Sequence, residues 1–260
     1  MIRGIDVSHW NGRIDWQAAA ADGVRFAFIK AGSDHSKGGF TQDAWFERHM
    51  AGAAAAGIPI GLYVYSYAKS TDAVSVGAEK LLDMIEPYRP LIRWPVAYDI
   101  EEDAQKALGK AVCTAMCNTF CATLASEGYV PMVYANPDWL TNYLNAGAIT
   151  ADIWLAHYTG VGGKTWYKGP WAIHQYTESG TVAGITGPVD LDVSLVDYGA
   201  LADAAQPDLP SSSGPPDAAD PWATGAWAAA YEAGILDGTR PRDPLSRQEL
   251  AVILQRTGLI

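Results

Sequence analysis

Cysteine is scarce, with three in 260 residues, and Cys113, Cys117 and Cys121 recur at every fourth position. That spacing puts them on one face of a predicted helix and excludes a disulfide framework, which calls for an even set of cysteines. A soft-metal site needs a fourth ligand and another spacing, so the three are read as small buried core residues. Positive charge is also short, because 18 Lys and Arg face 29 Asp and Glu for a net charge of −11. No basic cluster occurs, which excludes a nucleic-acid partner, since a phosphate-binding surface is built from grouped Lys and Arg. No apolar run approaches the roughly 18 residues needed to span a bilayer, so no membrane partner is expected. The first residues, Met1-Ile2-Arg3-Gly4-Ile5-Asp6, lack the charged, apolar and small-residue regions of a signal peptide. Synthesis in the cytoplasm is expected, or prior removal of a leader.

What is present is apolar and patterned. Hydrophobic residues make up 49% of the chain, enough for one large core and a small second unit. Short β-type runs end on polar residues at 4–8, 26–31, 60–66, 95–101, 131–136, 153–158, 172–176 and 189–193. Helical patterns lie between the early ones, at 16–22, 42–56, 71–85 and 104–127, and Gly57 and Gly128 close the second and last. Strand alternating with helix argues for a parallel sheet, and eight such strands suggest closure. Only about a dozen residues separate each of the last three strands, near the minimum for a parallel crossover. The expectation is an α/β fold, a TIM-like (β/α) barrel whose last third lacks some outer helices.

Chemistry is expected where strands end. The run Val96-Ala97-Tyr98-Asp99-Ile100-Glu101 closes on two carboxylates one residue apart. On an extended strand that spacing aims both the same way, roughly 6.5 Å apart at the backbone. Asp6 ends the first strand, and Asp190 lies on the eighth, which closes beside the first. Four carboxylates thus converge on one mouth. Paired carboxylates divide a proton, one acting as acid while the other stays charged, as cleavage of a sugar linkage requires. The competing reading of Asp99 and Glu101 is a strand running into an acidic loop. Tyr63, Tyr65, Tyr134, Asn136 and Gln175 share the inward parity on other strands, and a pocket of acids, amides and aromatic faces suits a carbohydrate. Core packing is the alternative for Tyr63 and Tyr134, and a structural hydrogen bond for Gln175. A divalent-ion site would use oxygen ligands of this kind, but no dedicated loop spacing occurs, and neither metal nor cofactor is expected.

Gly4-Ile5-Asp6-Val7-Ser8-His9-Trp10-Asn11-Gly12, Tyr98-Asp99-Ile100-Glu101 and Val189-Asp190-Leu191-Asp192 resemble the glycoside hydrolase family 25 lysozymes. Ile29-Lys30-Ala31, Gly61-Leu62-Tyr63-Val64-Tyr65, Val133-Tyr134-Ala135-Asn136, Trp154-Leu155-Ala156-His157-Tyr158 and Gln175-Tyr176 extend the resemblance over residues 1–205. It implies hydrolysis, with retention of configuration, of the β-1,4 bond between N-acetylmuramic acid and N-acetylglucosamine in bacterial peptidoglycan. It makes Asp6, Asp99, Glu101 and Asp190 the active-site acids, with Glu101 the proton donor and Asp99 ionised. Ser33, His174 and Asp192 depart from the commoner pattern, where an acid, a Trp and an Asn are frequent; these positions, Asp192 among them, are assigned to substrate-binding detail. The alternative function is a catalytically silent wall-binding lectin. A chain without a leader whose substrate lies outside the membrane fits a phage endolysin, with a bacterial autolysin as runner-up.

From 206 to 220 the chain turns to Pro, Ser and acid and reads as a linker. Residues 221–260 carry a small helical unit, with Ser246 and Glu249 at capping-box spacing. Trp222, Trp227, Gly234-Ile235-Leu236-Asp237-Gly238 and Ser246-Arg247-Gln248-Glu249 resemble one S-layer homology repeat. The resemblance implies binding to cell-wall polysaccharide, or a homo-oligomer in which several chains supply the missing copies. A helix pair docked on the barrel is the plainer alternative.

Overall fold

The computed structural model describes residues 1–205 apart from Gly163; the linker at 206–220 and the helical unit at 221–260 lie outside the described residues. Nine strands form one sheet: β1 (Ile2–Val7), β2 (Phe26–Asp34), β3 (Phe40–Gln42), β4 (Ile60–Tyr65), β5 (Ile92–Asp99), β6 (Pro131–Ala135), β7 (Asp152–Ala156), β8 (Ile173–Gly180) and β9 (Val189–Ser194). Their order is β1-β9-β8-β7-β6-β5-β4-β2-β3, and a further pairing of β1 with β2 closes eight of them into a barrel. The ninth, β3, hangs from β2 as an antiparallel hairpin.

Helices cover the first two thirds. They are α1 (Trp16–Ala21), α2 (Phe46–Ala55), α3 (Thr71–Ile85), α4 (Asp103–Lys106) and α5 (Lys110–Ser126), with α6 (Tyr198–Ala205) following the last strand. Asp15 and Ser70 cap α1 and α3 by accepting from the amides of Ala18 and Ala73. Between β6 and β7 there is only a π turn at Trp139–Tyr143 and a 3-10 turn at Ala146–Ala148, and among the described residues no helix joins β7 to β8 or β8 to β9. The connections of the last third are bare of α-helix, as its short spacings require.

Three expectations are corrected. The eighth barrel strand, β9, is antiparallel to both β8 and β1, so a hairpin turn replaces the crossover for which the chain had no length. The helix expected at 104–127 is two, broken at Gly109, whose φ of 83° is a left-handed conformation that glycine adopts without strain. The helix expected from Gln42 starts at Phe46, because Phe40–Gln42 pairs with β2 and Asp43 turns the chain by accepting from the Trp45 amide.

The barrel interior is solid beneath its mouth. Phe26 stacks on Trp94 with ring centroids 4.0 Å apart, and Phe28 stacks on Trp154 at 4.3 Å. Small residues make room for them, since a Cβ on Gly4 or Gly61 would run into the ring of Phe26 or Phe28. A separate apolar layer packs between barrel and helices, and Cys113, Cys117 and Cys121 lie buried and free within it on α5.

Candidate active site

Strand direction decides which residues reach the mouth. The parallel strands present their C-terminal ends there, whereas antiparallel β9 presents its start. Register therefore pairs Asp6, near the end of β1, with Asp190, the second residue of β9. Asp192, two residues further on, pairs with Gly4 and lies deeper, fully buried. Asp99 is the last residue of β5, and Glu101 stands just beyond it in the loop after that strand.

These ends surround a cleft of about 350 Å³ lined by Asp6, Asp99, Glu101 and Asp190 together with Tyr63, Tyr65, Tyr134 and Gln175. Asn136 and Asp192 are not among its lining residues. Asn136 instead accepts from the Trp139 amide at 3.0 Å and caps the π turn. Asp192 accepts from the Trp154 indole at 2.8 Å, making it a support beneath the floor. Gln175 bridges the other side: its amide donates to Asp6 at 2.7 Å, and its oxygen accepts from the Tyr134 hydroxyl at 2.8 Å.

Lys30 joins the acids although its sequence position suggests no task for it. It ends the inward row of β2, lines the cleft, and sits 5.0 Å and 5.9 Å from the Tyr65 and Tyr63 ring centres. The signal that could have found it is parity with Phe26 and Phe28. Trp154 and Tyr158 also line the cleft, as do Trp10 and Asn11 from the loop after β1. Trp10 is 85% exposed and forms an open aromatic rim.

Burial governs the protons. Desolvation, then the charges of Asp190 and Asp192, hold Asp6 well above the ordinary carboxylate range. Asp6 is hydrogen-bonded to Asp190, which burial raises to about 6, and of the two Asp6 holds a proton to the higher pH. Desolvation, then the charge of Glu101, raises Asp99 strongly. Glu101 is raised too, mainly by burial, and the Lys30 ammonium pulls both back down. The sequence reading gives the held proton to Glu101 and leaves Asp99 charged. The more deeply buried Asp99 has the greater rise, and the proton belongs to the pair.

A second buried network fixes the strand that carries Asp99. Asp34 accepts from the Tyr67 and Ala68 amides at 2.6 and 2.9 Å and from the Ser66 hydroxyl at 3.1 Å. Ser66 in turn bonds the Tyr98 hydroxyl at 2.6 Å, and its amide donates to the Asp99 carbonyl at 3.0 Å. The end of β2, the loop after β4 and the end of β5 are thereby tied together at Asp99.

Paired carboxylates at the base of an aromatic-rimmed cleft suit acid–base work on a glycosidic bond. Residues 5–185 match the family model for glycosyl hydrolases family 25. The chain belongs to that family. It is accordingly a glycoside hydrolase, and the four acids lie within or just beyond the matched span. Lysozyme M1 of Streptomyces globisporus is 28% identical over 199 residues, covering 73% of this chain and 66% of that protein; the chain thus spans about two thirds of that relative's length. A bacterial lysozyme from Streptomyces coelicolor superposes with a TM-score of 0.62 at 26% identity, over 78% of this chain and 96% of that one. The CTP1L endolysin superposes with a TM-score of 0.66 at 22% identity, over 78% of this chain and 70% of that chain.

Proposed function

We propose that this family 25 enzyme is an N-acetylmuramidase, cleaving the β-1,4 bond between N-acetylmuramic acid and N-acetylglucosamine in bacterial peptidoglycan. The observation that carries the reading is the convergence of Asp6, Asp99, Glu101 and Asp190 on one cleft with Lys30 as the cation beside the pair. Glu101, at the strand's outer end, delivers the proton to the leaving glycosidic oxygen. Asp99, below it, takes the negative charge, which Lys30 stabilises. Asp6 and Asp190, joined by their shared proton, and Gln175, anchored by Tyr134, form the wall against which the sugar's N-acetyl group is held.

Direct attack by Asp99 on the anomeric carbon and attack by the substrate's own N-acetyl oxygen, oriented by Asp99, both retain configuration. Proton NMR of products in the first minutes of reaction should therefore find the β anomer before mutarotation; an initial α anomer would remove Asp99 from either role. A silent lectin would bind walls and release nothing.

Residues 221–260 are proposed to be one S-layer-homology-like repeat that adds wall-polysaccharide binding or joins copies of the chain. Elution size of the full chain against one ending near Pro207 tests the second: a shift larger than the tail's own mass means assembly. The setting proposed for the whole is lysis of a host wall by a phage endolysin, made in the cytoplasm and acting after release.

A further inference from the structure

The loop after β1 has two faces. Trp10 and Asn11 line the catalytic cleft, whereas Arg13 and Ile14, two to four positions on, line a separate hollow of about 320 Å³. Its other walls are Trp16 from α1 and Trp45, Arg48, His49 and Gly52 from the start and body of α2. The two indoles flank His49, with ring centres 5.8 Å and 5.7 Å from its imidazole, and the Arg48 guanidinium lies 4.8 Å over the Trp45 ring. His49 is buried and bonded to the Ser8 carbonyl; burial lowers its pKa, so it is a neutral wall.

Both arginines are exposed, and among the described residues neither meets a carboxylate. This is unexpected in a chain with 29 acids against 18 bases. The nearby acids are committed elsewhere. Asp15 caps α1, Asp43 is held by His9 at 2.6 Å and by backbone amides, and Glu47 accepts from Gln42. The result is a pair of free guanidinium forks beside an aromatic wall, a donor set that matches carboxylates bidentately.

We infer that this hollow binds the carboxylate-bearing peptide stem of peptidoglycan while the glycan lies in the cleft. The inference deepens the muramidase reading and rests on it for the identity of the glycan. Reach is adequate: Arg13 is three residues from Trp10, at most about 11 Å along the backbone, and a four-residue stem extends about 14 Å. Arg13 and Arg48 take the free carboxylates, and Trp45 covers the aliphatic part of the stem. The loop from Ser8 to Ile14 then separates a subsite for sugar from one for peptide.

The test compares intact peptidoglycan with the same material stripped of its stems by an amidase, using the full chain and an R13A/R48A variant, with initial release of reducing ends as readout. The variant should lose about three- to tenfold in kcat/KM on intact wall, the scale of two exposed ion pairs, and change less than twofold on stripped glycan. Equal losses on both substrates, or none on either, would overturn the inference. Titration of the soluble stem tetrapeptide, followed by tryptophan fluorescence, decides the matter without catalysis. Saturable quenching by wild type that is absent in the variant supports the site, and no response from wild type overturns it. Failure to release reducing ends from either substrate, with peptide binding intact, would instead strike the muramidase reading alone.

Discussion

Lys30 sets the charge of its neighbours without being an acid itself. Its ammonium lowers the proton affinity of both Asp99 and Glu101 against the upward pull of burial. Replacing it with Met keeps much of the stem's packing and removes the charge. Both carboxylates should then hold their protons to higher pH, so the acidic limb of the kcat profile should move up by about one unit, the common scale of such shifts. A profile of kcat against pH for the two proteins checks this, and an unmoved limb would detach Lys30 from the pair. Asp192 presents the opposite case. It accepts from Trp154 and is buried against the Asp6 carboxyl. The family resemblance groups it with the binding residues. The register against Gly4, invisible in sequence, places it below the cleft.

At the scale of elements, the alternation of apolar runs marks every barrel strand to within four residues, because inward and outward positions must both be apolar where helices cover the sheet. Direction is less legible. The spacing before β9 is too short for a helix, yet only pairing with β1 and β8 reveals that the strand runs backwards. Asp190 reaches the mouth for that reason, from the start of its strand rather than the end. Phe40–Gln42 leaves no trace in the pattern because three residues carry no period. Parity misplaces Asn136 because it continues past the end of β6, where the chain has already turned and the side chain caps the π turn. Lys30 is legible by parity, but a lone base among acids invites an ion-pair reading. The packing of the barrel also yields a test. Adding a methyl at Gly4 drives it into the Phe26 ring, which is itself stacked on Trp94. Gly4→Ala should cost about 1–3 kcal/mol by overpacking, read as a lowered midpoint in urea. An unchanged midpoint would mean that the interior below the mouth is loose.

Across the whole molecule, buried acids make stability depend on pH in an unusual direction. Burial raises Asp6, Asp99 and Asp192, and takes Asp34 and Asp190 to about 6. The folded state therefore binds more protons than the unfolded state above about pH 4, where free carboxylates ionise. Where the folded state holds the excess protons, stability falls as pH rises. It should decline from about pH 4 through 6, as Asp34 and Asp190 give up their protons, and further above 6 for the more strongly raised Asp6, Asp99 and Asp192. The thermal midpoint should thus be at least about 3 °C higher at pH 5 than at pH 7.5, the shift produced by roughly 1 kcal/mol in a domain of this size. Asp192→Asn keeps the acceptor for Trp154 and discards the buried charge, so it should raise the midpoint at pH 7.5 and flatten the slope. A midpoint that rises with pH would mean that these acids are better compensated than their surroundings indicate. The cleft thus carries a cost in stability for holding acids together out of water.

The proposed protonation of the leaving oxygen of a muramic-acid linkage by Glu101 is tested by mass spectrometry of soluble fragments from purified peptidoglycan, with new sugar ends reduced. Wild type should release fragments ending in reduced N-acetylmuramic acid, and Glu101→Gln, which keeps the shape and removes the transferable proton, should release at least about a hundredfold less. Reduced N-acetylglucosamine ends would mean that another bond is cut, and near-normal release by the variant would contradict the role given to Glu101.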